Sequence, residues 1–148
     1  MRYIIFIVSI SILDLFSKYV IKNKVSVNTK IEILKDKLYI WHIKNKGTAY
    51  SKFEKYPDFV FISSGMLLST ITVYFIKLLK KEGQTFLKTG MAMIIGGAIG
   101  NIIERGTKRE VTDFIYIKTK NAPIFNIADV FIFIGSGISM LSSIFSKK

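Results

Sequence analysis

Four apolar stretches, each close to the length a helix needs to cross a bilayer, restrict the fold of this 148-residue chain more than any other feature. The hydrocarbon core is about 30 Å thick, so a spanning helix needs roughly 20 mostly apolar residues. Residues 3–21, 59–79, 86–103 and 124–145 meet that requirement. The first carries Asp14 and Lys18, the second is free of charge until Lys77, the third is glycine-rich, and the only charge in the fourth is Asp129. Lipid offers nothing for bare backbone groups to bond, so such runs cross as helices. The expectation is an all-α membrane protein: one membrane domain over residues 1–148, a four-transmembrane-helix bundle with a small β-rich cap at one face.

The cap comes from the connecting segments. Within residues 25–57, residues 31–34 and 38–43 are β-branched and aromatic runs separated by Lys35-Asp36-Lys37, the pattern of a hairpin or small sheet. Residues 111–117 are strand-like as well. Open strand edges are not tolerated in hydrocarbon, so these pieces belong at the membrane surface, where Tyr39, Trp41 and Tyr50 suit the headgroup level. Arg2 and the apolar run after it have the outline of a secretory signal. Asp14 and Lys18 follow, however, and no small-x-small cleavage site appears, so a retained first helix is expected.

Lys and Arg outnumber Asp and Glu by 22 to 10. In a soluble protein that excess would suggest nucleic acid. Here the bases sit between apolar runs, which suits membrane phospholipid headgroups and points away from a nucleic-acid partner. The chain has no cysteine, hence no disulfide framework and no thiol nucleophile. Its single histidine, His42, has no companion at metal-ligand spacing, and no metal site is expected.

Four antiparallel crossings bring the end of the first helix, the start of the second, the end of the third and the start of the fourth to one face. Asp14, Lys18, Asn101, Arg105, Asn126 and Asp129 all fall there, joined by Asn45 and Asp113 from the connecting segments. Ionisable groups inside membrane helices are costly and mark function or buried partners. Each has a plain structural role open to it. Asp14 and Lys18 lie four apart and can pair; Gly96, Gly97 and Gly100 offer a thin face for helix packing. Arg105 can snorkel to the interface, and Asn126 can cap the fourth helix with Asp129 as its partner. Asp113 is harder to account for in this way, because its neighbours Val111, Thr112, Phe114 and Ile115 make a lone carboxylate expensive. With no serine–histidine or cysteine–histidine arrangement available, activation of water by the carboxylate pair is the natural chemistry. A small four-helix transporter or channel would also gather polar groups this way, and so would a scaffold with no chemistry.

Five short boxes then carry a resemblance. Asp14-Leu15-Phe16-Ser17-Lys18 resembles the D-x-x-[ST]-K box of bacterial lipoprotein signal peptidases, the type II signal peptidases. Asn45-Lys46-Gly47-Thr48-Ala49-Tyr50 is similar to their N-x-G-x-[AS]-aromatic box, and residues 96–105 resemble G-G-A-x-G-N-x-x-D-R. Val111-Thr112-Asp113-Phe114-Ile115 resembles V-x-D-F-I, and Phe125-Asn126-Ile127-Ala128-Asp129 resembles F-N-x-A-D. The boxes occur in the family's order from residue 14 to residue 129. Two departures stand out: Glu104 replaces the usual aspartate before the arginine, and Tyr50 stands where phenylalanine is common.

The resemblance implies an intramembrane aspartyl endopeptidase of the bacterial plasma membrane, with both termini cytoplasmic and its site and cap on the extracytoplasmic side. It implies removal of signal peptides from diacylglyceryl-modified prolipoproteins just before the lipidated cysteine, without metal or organic cofactor; a monomer is the working expectation. Asp113 and Asp129 match the catalytic pair. Asn45, Gly47, Asn101, Arg105 and Asn126 match positions that line or brace the site, and Asp14 and Lys18 match a supporting pair in the first helix.

Charge counting favours the opposite orientation, since the loops on the site's side carry about twice as many bases as the other side. Residues 77–88, dense in lysine, soften the conflict without removing it. Five ordered boxes outweigh a statistical rule. Because the chain lacks native cysteine, Lys30→Cys should react with a membrane-impermeant maleimide in intact cells and Gly83→Cys should not. The reverse labelling pattern would overturn the orientation.

Overall fold

The computed structural model describes residues 1–48, 52–120 and 122–145. Ala49 and Tyr50 of the second box, with Lys147 and Lys148 at the end of the chain, lie outside the described residues. Four helices and four strands follow in the order α1 (Arg2–Lys24), β1 (Lys30–Leu34), β2 (Leu38–Asn45), α2 (Pro57–Leu79), α3 (Thr85–Lys108), β3 (Val111–Ile117), β4 (Ile124–Phe125) and α4 (Ile127–Phe145). All four helices are long and apolar enough to cross a membrane.

Local sequence explains the ends. Pro57 opens α2, where its missing N–H costs nothing, and Asp58 meets the positive end of the helix dipole. Lys22 and Lys24 occupy the last turn of α1, so that helix runs past the apolar stretch ending at residue 21. Arg105 and Lys108 likewise carry α3 beyond residue 103. The fourth helix differs from its expectation at the other end. Ile124 and Phe125 are strand, and α4 begins only at Ile127. An apolar run does not reveal its own cap: Asn126 takes that position, leaving Ile124 and Phe125 to pair with Tyr116 and Ile115.

α3 is the central helix, packed against α1, α2 and α4. Small residues allow this. A Cβ on Gly96 would lie 2.9 Å from Ile10 Cβ, and one on Gly97 would lie 2.6 Å from the Ala128 carbonyl oxygen. Where helices have no hydrophobic drive to associate, such close approach supplies the van der Waals contact. Phe75, Leu78, Met91, Ala92 and Ile95 fill the α2–α3 interface, and Tyr3 meets Phe75 edge-on at 6.1 Å. The outer faces are the reverse of a soluble protein's: Phe59, Met66, Leu67, Phe86 and Phe133 are exposed, as side chains facing lipid should be. Several helical hydroxyls are satisfied within their own turns, Thr70 donating to the Met66 carbonyl at 2.9 Å and Thr72 to that of Leu68 at 2.8 Å, whereas the buried Ser139 Oγ has no hydrogen-bond partner among the described residues.

The expected hairpin forms between β1 and β2 across Lys35–Lys37, with Asp36 at φ +55°. It does not stand alone. β3 pairs antiparallel with β2 and β4 with β3, giving one four-stranded sheet in chain order. On one face Lys30 lies over Tyr39, Trp41 and Tyr116 at 4.1–5.2 Å from the ring centroids. On the other, Ile31, Ile40, Ile115 and Phe125 are aligned across the sheet by the pairing register. The registers also bring Asp113 opposite Ile43 and Val111 opposite Asn45, so the sheet carries both to the helix ends.

Close packing at Gly97 generates a stability prediction. Gly97→Ala should lower the Tm in detergent, at a cost of about 1–3 kcal/mol for overpacking against fixed backbone. Gly65→Ala, where a Cβ meets nothing within 4 Å, should leave Tm unchanged or slightly raised. Equal behaviour of the two variants would remove close packing as the reason for Gly97.

Candidate active site

The site begins with a buried ion pair on α1. Asp14 and Lys18 are fully enclosed, their Oδ2 and Nζ 2.6 Å apart. Gly100 makes room for the carboxylate, since a Cβ there would collide with Asp14 Oδ2. Asp14 Oδ1 accepts the Ala128 backbone N–H at 2.9 Å, which ties α1 to the first turn of α4. Lys18 also donates to Asn101 Oδ1 at 2.7 Å. The sequence left the pair open between structure and function; its geometry is that of a support.

Lys18 thereby orients an amide. With its oxygen taken by Lys18, and by Asn126 Nδ2 at 3.2 Å, Asn101 presents its Nδ2 to Asp129 Oδ1 at 3.0 Å. Asp129 is also half of a reciprocal cap. Its backbone N–H donates to Asn126 Oδ1 at 2.9 Å, and its Oδ2 accepts the Asn126 N–H at 3.1 Å. The capping role foreseen for this pair is therefore real, and it leaves Asp129 half-buried on the wall of a cavity.

Asp113 arrives from the other side, on β3, and is only 4% exposed. Asn126 Nδ2 donates to its Oδ1 at 2.7 Å and Asn45 Nδ2 to its Oδ2 at 2.9 Å. Burial pushes the Asp113 carboxyl up, and the nearby Asp129 charge pushes it further. The two amide donors pull the other way and lose, leaving a pKa of about 7. Asn126 is thus the shared element, touching both aspartates at once.

Asn45 closes a turn by accepting the Gly47 N–H at 2.9 Å. The Gly47 carbonyl in turn accepts from Arg105 Nη2 at 3.1 Å. Arg105 therefore does more than snorkel: it is half-buried, lines the cavity and braces the 45–48 turn. Its Nε is buried with no hydrogen-bond partner among the described residues.

The cavity these groups line is ≈ 610 Å³ and mostly apolar. Asp113, Asp129, Asn45, Asn101, Asn126 and Arg105 occupy one end. Ile115, Ile117, Ile124, Phe125, Val130 and Phe133 are among the apolar residues that line the rest. All nine residues singled out in the sequence are gathered here, with Asp14, Lys18 and Gly47 just behind the wall. Among the described residues, no three His, Asp or Glu side chains lie close enough together to hold a metal ion.

Two contributors were missed as site residues. Thr48 lines the cavity, and Glu104 is buried behind Asp113, accepting the Thr112 backbone N–H at 2.9 Å. A signal for Glu104 existed: it is three residues beyond Asn101 on the same helical face, inside the third box.

Comparison with known proteins places the chain in a family. The family model described as Signal peptidase (SPase) II matches residues 6–145. The lipoprotein signal peptidase of Halalkalibacterium halodurans is 36% identical over 150 residues, covering 100% of this chain and 95% of that protein. A bacterial membrane enzyme structure solved in meso at 2.3 Å resolution shares the fold with a TM-score of 0.88 at 27% identity, covering 99% of this chain and 90% of that one. A second, at 1.9 Å, has a TM-score of 0.83 at 28% identity over 95% of this chain and 91% of the other. The transporter or channel that a polar cluster in a helix bundle left open is set aside by these matches. The chain belongs to the signal peptidase II family and is a multi-pass membrane peptidase.

Proposed function

We propose that this peptidase is an aspartyl enzyme of the bacterial plasma membrane that removes signal peptides from diacylglyceryl-modified prolipoproteins. It cuts just before the lipidated cysteine, with Asp113 and Asp129 as its acid–base pair and its site facing the extracytoplasmic side. The observation that carries this is the shared Asn126. Its Nδ2 holds Asp113 while its Oδ1 and N–H lock Asp129, so two carboxylates from different segments meet on one cavity wall. The name of the H. halodurans relative supplies the substrate class, and the apolar length of the cavity suits a signal peptide and acyl chains.

The two acids differ in a way that assigns roles. Asp129 sits in the first turn of α4, where the helix dipole favours negative charge, and it faces the cavity. It is the ionised member and takes a proton from water as that water attacks the scissile carbonyl carbon. Asp113, nearly enclosed and with its pKa near neutrality, is the protonated member. It donates a hydrogen bond to the carbonyl oxygen as charge develops there. Collapse of the tetrahedral intermediate breaks the C–N bond, and the proton gathered by Asp129 goes to the leaving amine of the lipidated cysteine. The apolar wall limits competing water. The Arg105 Nε, buried without a hydrogen-bond partner among the described residues, is a donor available to a substrate carbonyl.

Asp113→Asn and Asp129→Asn should each reduce cleavage of a diacylated prolipoprotein peptide by at least roughly 10²–10⁴, the worth of general acid–base catalysis. The double variant should be scarcely slower than either single, because the two act as a unit. Asparagine caps a helix about as well as aspartate, so near-normal cleavage by folded Asp129→Asn would reduce that residue to a cap. An unlipidated peptide cut as fast as the lipidated one would remove the substrate assignment.

A second test reads Asp113 through stability. Its carboxyl titrates at about 7 in the fold against an ordinary 3.8, so the fold disfavours the ionised form. Stability should therefore fall as pH rises from about 4 to about 7 and level off above, by linkage. Asparagine does not titrate. The Tm of Asp113→Asn relative to wild type should accordingly climb between about pH 4 and pH 7 and be flat above; a constant difference would mean Asp113 is ionised throughout.

A further inference from the structure

Glu104 stands where the G-G-A-x-G-N-x-x-D-R pattern has an aspartate, and its longer arm is fully used. Oε2 accepts the Thr112 backbone N–H at 2.9 Å and Oε1 accepts the Thr112 hydroxyl at 3.1 Å. Lys22 Nζ donates to Oε1, and Lys18 Nζ approaches Oε2 at 3.5 Å. Glu104 is 5% exposed and Thr112 is 2% exposed, so the glutamate and the strand it holds are buried, with the partly exposed Lys22 reaching in from α1.

Thr112 immediately precedes Asp113. Holding both its N–H and its hydroxyl fixes the peptide plane and the pleat, and so the face of the strand from which Asp113 emerges. A glutamate has one more rotatable bond than an aspartate and loses more freedom when fixed, so its end must be pinned. Lys22 supplies that pin. It lies one turn beyond Lys18 on α1 and reaches the oxygen that takes the Thr112 hydroxyl. Neither Lys22 nor Glu104 lines the cavity.

Building on the proposed Asp113–Asp129 pair, we propose that Lys22 and Glu104 form a positioning device that holds Thr112, and through it aims Asp113 at the substrate. Lys22 pins the glutamate, the glutamate clamps the strand, and the strand sets the carboxyl. Lys22 touches no reacting atom, and its effect belongs in turnover and not in substrate binding.

The test compares steady-state cleavage of a diacylated prolipoprotein peptide by wild type, Lys22→Met, Lys22→Arg, Thr112→Val and Asp113→Asn, each checked for Tm in detergent. Lys22→Met should lose roughly 10- to 100-fold in kcat with KM unchanged, the scale on which small misplacements of reacting groups act. Lys22→Arg should restore most of the loss, because its guanidinium still donates to the glutamate. Thr112→Val keeps the N–H and deletes only the hydroxyl, so it should show a smaller loss of the same kind. It decides the matter if Lys22→Met does not fold. Normal kcat in Lys22→Met with only a lowered Tm, a loss confined to KM, or no rescue by arginine would overturn the proposal. Asp113→Asn separates the two levels. If it cleaves normally, the acid pair itself fails; if it is inactive beside a fully active Lys22→Met, only the positioning device fails.

Discussion

The Lys18 ammonium is held between α1 and α3 by Asp14, Asn101 and Glu104, and each contact fixes something beyond itself. Through Asp14 it reaches the Ala128 N–H and so the start of α4. Through Asn101 it decides which end of an amide faces Asp129. Burying a charge pair in a bilayer is not a cheap source of stability, since desolvation can consume the attraction, and removing one partner of such a pair typically costs about 3–5 kcal/mol. What the pair provides is registry. Three helices that could otherwise slide along apolar faces have one depth at which Asp14 meets Gly100 and Lys18 meets Asn101. Gly100 is part of the same constraint: any side chain there would occupy the position of the Asp14 carboxylate.

That constraint explains what could be read from the sequence and what could not. The helices were legible because lipid permits only one use of a long apolar run. The gathering of polar residues was legible because antiparallel crossings leave few places for them to go. The sheet was harder to see. Residues 111–117 looked like a strand, but nothing local says that a strand pairs with β2, 66 or more residues away, instead of ending alone. The start of α4 was misread for a related reason: hydropathy continues smoothly from Ile124 to Phe145, whereas the break is made by the Asn126 side chain. Glu104 was visible as a departure from a pattern and invisible as a contact, because its partners come from α1 and β3 at once.

α4 shows how a structural duty and the proposed chemical one fall on the same atoms. The reciprocal cap between Asn126 and Asp129 satisfies helix-end donors that would otherwise be orphaned at the membrane surface. It also fixes the Asp129 carboxylate at the positive end of the dipole. Helix termination and site assembly are one event, which is why a capping reading and a catalytic reading of Asp129 do not compete. The same economy appears at Asn45, where an oxygen closes the turn onto Gly47 and the nitrogen reaches Asp113.

The neighbours of the two carboxylates are amides, and if the two act as the proposed acid–base pair sharing one proton, this has a physical reason. A cation in direct contact with both acids would hold both ionised and leave no proton to donate. Asn45, Asn101 and Asn126 donate to Asp113 and Asp129 with full hydrogen-bond direction and no net charge. They can fix geometry while leaving the protonation of the pair to burial and to mutual repulsion. The strong cations are kept one step away. The hydrogen-bonded link from Lys18 to Asp129 runs through Asn101, and the Arg105 hydrogen bond goes to the Gly47 carbonyl and not to either aspartate. Positive potential reaches the site weakened, sufficient to temper the repulsion between two acids and insufficient to strip the second proton. An amide turned end for end would present oxygen to carboxylate, so the orientation of each asparagine matters as much as its presence. For Asn101 that orientation is dictated by the buried lysine, which is how a charge pair inside the first helix reaches the carboxylate proposed to act at the start of the fourth.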